Sequence, residues 1–87
     1  MRIALLGAGR IGAAHARVIA ADPRVDRLTI ADVDADRAST VARAVGGHAA
    51  ADAASAIADA DALVIATSTT THAELIRAGI ARGIPVF

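Results

Sequence analysis

The stretch Gly7-Ala8-Gly9-Arg10-Ile11-Gly12 decides the fold, because the apolar pattern changes period across it. Before it, Arg2-Ile3-Ala4-Leu5-Leu6 has the length and near-continuous apolarity of a strand buried on both faces. After it, Ile11, Ala14, Val18 and Ile19 recur at helical spacing. A strand therefore passes into a helix across three glycines. In such a turn Gly7 permits the sharp bend, Gly9 lets a diphosphate approach the backbone, and Gly12 lets the helix lie close to the strand. Ala16 extends the small-residue side of that packing. The N–H groups opening the helix, near Arg10 and Ile11, then point at whatever anion sits above the turn.

Glycine-rich turns are common, and a tight strand-to-helix connection that binds nothing has the same letters. What separates the two is context and an acid at the right distance. Leu28-Thr29-Ile30-Ala31 reads as a second strand ending at Asp32, twenty residues after Gly12. A carboxylate there accepts both hydroxyls of an adenosine ribose and repels a 2′-phosphate. The combined pattern favours a bound dinucleotide, NAD rather than NADP.

The remaining chain continues the alternation. The first helix is expected from Arg10 to about Ala21, stopped by Asp22-Pro23. His15, on its apolar stripe, is expected to be a packed histidine rather than a ligand contact. Asp34 is a candidate N-cap for a second helix with Ala38, Val41, Ala42 and Val45 as its apolar stripe, ending at Gly46-Gly47. Arg37, in its first turn, has the reach of an adenine face or a 2′-phosphate, but Asp32 argues against the phosphate and a solvated arginine is the plainer reading. His48-Ala49-Ala50 suggests a short edge strand, and Asp52 a cap for a helix through Ala58. Ala62-Leu63-Val64-Ile65-Ala66 reads as a strand that runs into a hydroxyl-rich loop, Thr67 to His72. Ligands in open α/β sheets collect at that carboxyl edge, which marks Thr67 and Ser68 as candidates, with His72 either at a ribose or closing the loop. Thr71 with Glu74 forms a capping box for a helix from His72 to about Arg82. Leu75, Ile76 and Ile80 are expected to face the sheet, with Gly79 allowing close packing. Gly83 ends the helix and Ile84-Pro85-Val86-Phe87 begins a fifth strand. The whole predicts a doubly wound parallel α/β sheet, Rossmann-like and truncated, in the order 3-2-1-4-5.

Composition narrows the chemistry. The sequence has 87 residues, one domain at most, with 55% hydrophobic residues and Phe87 its one aromatic. Nine arginines balance eight aspartates and Glu74, so nothing steers the chain toward nucleic acid or an anionic membrane. It has no cysteine, which excludes disulfides and thiolate metal sites, and no lysine, which excludes an ammonium acid or Schiff base. His48 has no second ligand at metal-binding spacing, and no metal site is expected. The apolar run after Arg2 breaks at Gly7, unlike a signal peptide, and no segment approaches the roughly 20 apolar residues of a membrane span. A cytoplasmic location is the expectation.

The sequence resembles the amino-terminal domain of the glucose-fructose oxidoreductase, inositol dehydrogenase and rhizopine catabolism family of nicotinamide-dependent oxidoreductases. The resemblance rests on Gly7 to Gly12 followed by His15-Ala16, on Ile30-Ala31-Asp32, on Ala66-Thr67-Ser68 with His72, and on Gly83-Ile84-Pro85-Val86-Phe87. It covers the whole chain, and the ending is most similar to inositol 2-dehydrogenases. Ser68 departs from the pattern, standing where the family commonly has proline. The likeness implies NAD as cofactor and cofactor roles for Gly7, Gly9, Ile11, Gly12, Asp32, Thr67, Ser68 and His72, with Arg10 at the helix opening beside them. It also implies a Glu-Lys-Pro motif after Phe87 and a second domain with the substrate pocket, so no catalytic residue is assigned within residues 1–87.

The expected activity is hydride transfer between a nicotinamide and a hydroxyl-bearing carbon of a polyol or sugar, a substrate held only with that second domain. Two other readings share the motifs: a non-catalytic sensor that reports NAD, and an FAD site. An apolar last strand calls for cover by more chain or another copy, and a homo-oligomer is expected.

Overall fold

The computed structural model describes the backbone of every residue except Ser68, and the side chains of all but residues 68–73. Strand β1 (Arg2–Leu6) enters helix α1 (Arg10–Ala21), followed by β2 (Arg27–Ala31), α2 (Ala35–Val45), β3 (His48–Ala49), α3 (Ala53–Ala58), β4 (Ala62–Ile65) and α4 (Thr69–Arg82). The strands pair in parallel in the order β3-β2-β1-β4. Val86 bridges Leu63 in parallel, which puts the start of the fifth strand beside β4, where the expected order has it.

The central strand shows why an uninterrupted apolar run was needed. Ile3 and Leu5 face one helix layer with Ala16, Val41 and Ala42, while Ala4 and Leu6 face the other with Ala56 and Ile57. Both faces of β1 are thus core, and Leu5, Leu6, Ile30 and Leu63 are completely enclosed. Removing each from water stabilises the fold by about 1.5–3 kcal/mol. Alanines fill much of the remainder, so helices sit close to the sheet.

Caps and stops follow local chemistry. Asp34 accepts hydrogen bonds from the Asp36 and Arg37 amides, and Asp52 from the Ser55 amide. Gly46 (φ 73°) and Gly83 (φ 71°) end α2 and α4 in the left-handed region that glycine adopts cheaply. Asp61, just before β4, accepts hydrogen bonds from the Arg2 amide (2.7 Å) and guanidinium, pinning the start of β1.

Three expectations are corrected. The apolar stripe of α1 meets the core only in part: Gly12 and Ala16 are buried and Ile19 packs against the core, while Ile11, His15 and Val18 are exposed. Small residues win because they let α1 lie against β1, which turns the larger ones outward. Helix α4 starts at Thr69, so Thr71 lies within its first turn and does not precede it as a cap. The run Thr67 to Thr71 offers a hydroxyl at every position, and spacing alone does not choose among them. Along α4, Leu75, Ala78 and Gly79 face the sheet, while Ile80 is 67% exposed. A Cβ on Gly79 would stand 2.4 Å from a Val86 methyl, so contact runs along the glycine's line. Among the described residues no helix is long and apolar enough to cross a membrane.

Candidate functional site

At the carboxyl edge of the sheet the three glycines divide the work. Gly7 has φ 110°, and a Cβ there would stand 2.6 Å from the Ala66 carbonyl. A Cβ on Gly12 would stand 2.0 Å from the Gly7 carbonyl oxygen. Both positions are fixed by the chain's own backbone. Gly9 differs: its φ of −73° is ordinary, and a Cβ there would meet nothing within 4 Å. Its bareness therefore leaves open surface above the turn.

That surface is the amino terminus of α1. The first helical bond runs from the Ala13 amide to the Gly9 carbonyl, 2.8 Å, and no side chain caps the helix. The Arg10, Ile11 and Gly12 amides are left without a helical acceptor, the state that favours an anion. Helices α2 and α3, by contrast, close theirs with Asp34 and Asp52. The cradle, bare above Gly9 and lined by amides, fits a diphosphate.

Asp32 follows β2 beside this turn, its side chain only 6% exposed. One oxygen accepts the Ala8 amide at 2.7 Å; the other accepts the Asp34 amide at 2.8 Å and an Arg37 guanidinium N–H at 3.1 Å. Burial pushes its pKa up, but the Asp34 and Ala8 amides and then Arg37 outweigh it and hold the carboxyl below the ordinary aspartate range. The acid therefore stitches β2 to the glycine turn, a role additional to the one read from the sequence. Arg37, half exposed, is its ion-pair partner rather than a solvated arginine.

A cleft of about 270 Å³ opens next to Asp32, walled by Leu6, Ala31, Val33, Thr67 and Leu75. Its lining is largely apolar, with Asp52 and Glu74 beside Asp32 as its acidic members, a composition suited to a planar base and its sugar. Val33, 98% exposed, was missed by sequence reasoning. The available signal was an aliphatic residue set between two aspartates where the chain leaves a strand. A second, shallower cleft runs past Gly9, Arg10, Arg37 and Thr40.

The structure thus gathers Gly7, Gly9, Arg10, Ile11, Gly12, Asp32 and Thr67 at one edge of the sheet. The proposed contacts of Ser68 and His72 lie outside the described residues. His15 and His48 are exposed and stand apart from both clefts.

A family described as an oxidoreductase family with an NAD-binding Rossmann fold, GFO_IDH_MocA, matches residues 1–87. Inositol 2-dehydrogenase of Rhizobium meliloti (strain 1021) is 40% identical over 88 residues, covering 100% of this chain and 27% of that protein. The crystal structure of a myo-inositol dehydrogenase from Corynebacterium glutamicum superposes with a TM-score of 0.89 at 45% identity, covering 99% of this chain and 26% of that one. That of GenD2 from gentamicin A biosynthesis, in complex with NAD, gives 0.91 at 33% identity, over 99% of this chain and 25% of that one. The chain spans about a quarter of the length of the proteins it resembles. With the glycine turn, the acid that follows β2 and the parallel order all in place, the chain belongs to the GFO_IDH_MocA oxidoreductase family, as its NAD-binding Rossmann part.

Proposed function

We propose that residues 1–87 hold NAD for an oxidoreductase acting on a hydroxyl-bearing carbon of a polyol or sugar, inositol-like in class. The observation that carries this is the uncapped start of α1 under the bare face of Gly9, with Asp32 beside it. Bound NAD supplies a nicotinamide carbon that accepts or returns hydride. The Arg10, Ile11 and Gly12 amides hold the diphosphate, with Gly7 and Gly12 keeping the turn in shape. Asp32 orients the adenosine ribose, and Val33 and Leu75 shield the base from water. Cofactor contacts by Thr67, Ser68 and His72 are carried by the family resemblance alone. The substrate class is supported by the inositol dehydrogenases among the similar proteins.

Removal of the hydroxyl proton needs a base, and the family resemblance assigns no catalytic residue within residues 1–87. The 87-residue chain is therefore proposed to bind NAD without turnover. Calorimetric titration with NAD tests the first half, and NADH formation from inositol at 340 nm tests the second, a wavelength at which reduced nicotinamide absorbs. Saturable binding without NADH formation supports the reading. No binding, or turnover by these residues alone, contradicts it.

A further inference from the structure

One corner of the molecule lacks a helix. The crossovers toward β2 and β3 lay α1 and α2 on one face of the sheet, and those toward β4 and the strand begun at Val86 lay α3 and α4 on the other. The core divides accordingly: Leu63 of β4 packs with α3 and α4, whereas Ala62 and Val64 turn to the α1 side. On that side α1 packs on β1 and β2, with Arg17 and Ala20 on its flank toward α2, and among the described residues no helix lies over β4. Val64 is only half-buried as a result. The other flank of α1, turned away from α2, carries Ile11, His15 and Val18 at i, i+4 and i+7, with Ile11 66% and Val18 73% exposed. An apolar helix flank and a bare strip of sheet thus meet in a corner, the same setting that α2 fills on the opposite flank of α1.

We infer that this corner seats a helix from the part of the polypeptide outside residues 1–87, its apolar face toward Ile11, Val18 and Val64, and that the contact fixes the substrate-holding part against the bound cofactor. Crossover handedness selects the occupant. A parallel strand added beyond Val86 brings its connecting helix to the α4 side, so continuing the alternation leaves the corner bare. The matched stretch is 27% of the Rhizobium meliloti inositol 2-dehydrogenase, so proteins of this kind carry ample chain outside that alternation. A second copy of residues 1–87 fits less well. Helix α1 has Arg10 and Arg17 and no acid, so two copies packed along it bring like charges together with none to oppose them. The Ile11 amide belongs to the cradle, so a helix seated here passes beside the diphosphate site and reaches Val18, two turns away. The docking stands on packing alone, whereas its role in placing substrate rests on the function proposed above.

The test is maleimide labelling of the full-length protein, as its gene encodes it, read peptide by peptide in a mass spectrometer. One variant carries Val18→Cys and the control carries Ala44→Cys on α2. Residues 1–87 contain no cysteine, so each probe is the one thiol of its region, and both positions are exposed within those residues. Circular dichroism establishes that each variant is folded, and His15→Cys on the same flank replaces Val18→Cys if that variant is not. The expected result is labelling at position 18 at least about tenfold slower than at position 44 in the native protein, with the two rates equal in urea. Equal native rates overturn the inference, as does a gene that stops at residue 87. Slow labelling that is lost when the protein is diluted to monomer assigns the cover to a second copy and overturns the choice of occupant. Calorimetric titration of the same proteins with NAD keeps the two readings apart. Protection without NAD binding leaves the docking in place and overturns the cofactor reading, and NAD binding with equal labelling does the reverse.

Discussion

Single residues at the glycine turn separate folding from binding. Gly12→Ala forces a Cβ to 2.0 Å from the Gly7 carbonyl oxygen, so it should destabilise the protein by about 3 kcal/mol or more. Gly9→Ala meets no atom within 4 Å, and its stability should stay within about 1 kcal/mol of the parent. Its NAD affinity should nonetheless fall at least about tenfold, because the new methyl occupies the surface proposed for the diphosphate. Urea denaturation and calorimetry on both variants check the pair. The sequence pattern treats the three glycines alike; only the backbone around each distinguishes them. Asp32 adds a pH prediction. Its folded pKa lies below the unfolded value, so its stabilising effect is complete above the ordinary aspartate range, about pH 4, and is lost as pH falls through the lower folded value. Thermal melts from pH 7 to 3 should show stability falling in that acid window, with a shallower fall for Asp32→Asn. Asp22, lowered to about 2 chiefly by Arg24, and Asp61 share the direction, so some slope remains.

At the scale of elements, what was legible is what local chemistry alone determines. The bounds of α1, the cap at Asp34 and the stop at Gly46 follow from residues a few positions apart, and the structure has them there. Asp34→Ala should lower stability by about 1 kcal/mol through loss of the carboxylate oxygen that accepts two amide N–H groups, more than Asp36→Ala in the same turn, by chemical denaturation. What failed needed knowledge of neighbours. The outward turn of Ile11 and Val18 depends on how closely Gly12 and Ala16 let α1 approach β1. The start of α4 lies in a run of interchangeable hydroxyls. The Arg37–Asp32 pair joins residues whose proximity follows from how α2 leaves β2, which composition does not reveal.

For the whole molecule, a small sheet and alanine-rich helices leave little reserve. Leu5 is enclosed on the central strand, and Leu5→Ala should cost about 2–5 kcal/mol, a large part of what a domain this size has. The fold was readable because the alternation of strand and helix periods admits few arrangements, and parallel pairing with both faces covered is the one realised. The candidate site was readable in part, since the glycines and Asp32 are a spaced pattern, whereas Val33 and the Arg37–Asp32 pair arise from the packed structure. The account's central claim is that a dinucleotide lies over the α1 start with its ribose at Asp32. Amide chemical-shift mapping of the 15N-labelled chain titrated with NAD tests it most directly. The largest shifts should fall at Gly9 to Gly12 and at Asp32 to Asp34; saturable binding that leaves those amides unmoved and shifts the opposite edge, around Gly46 to His48, would contradict it.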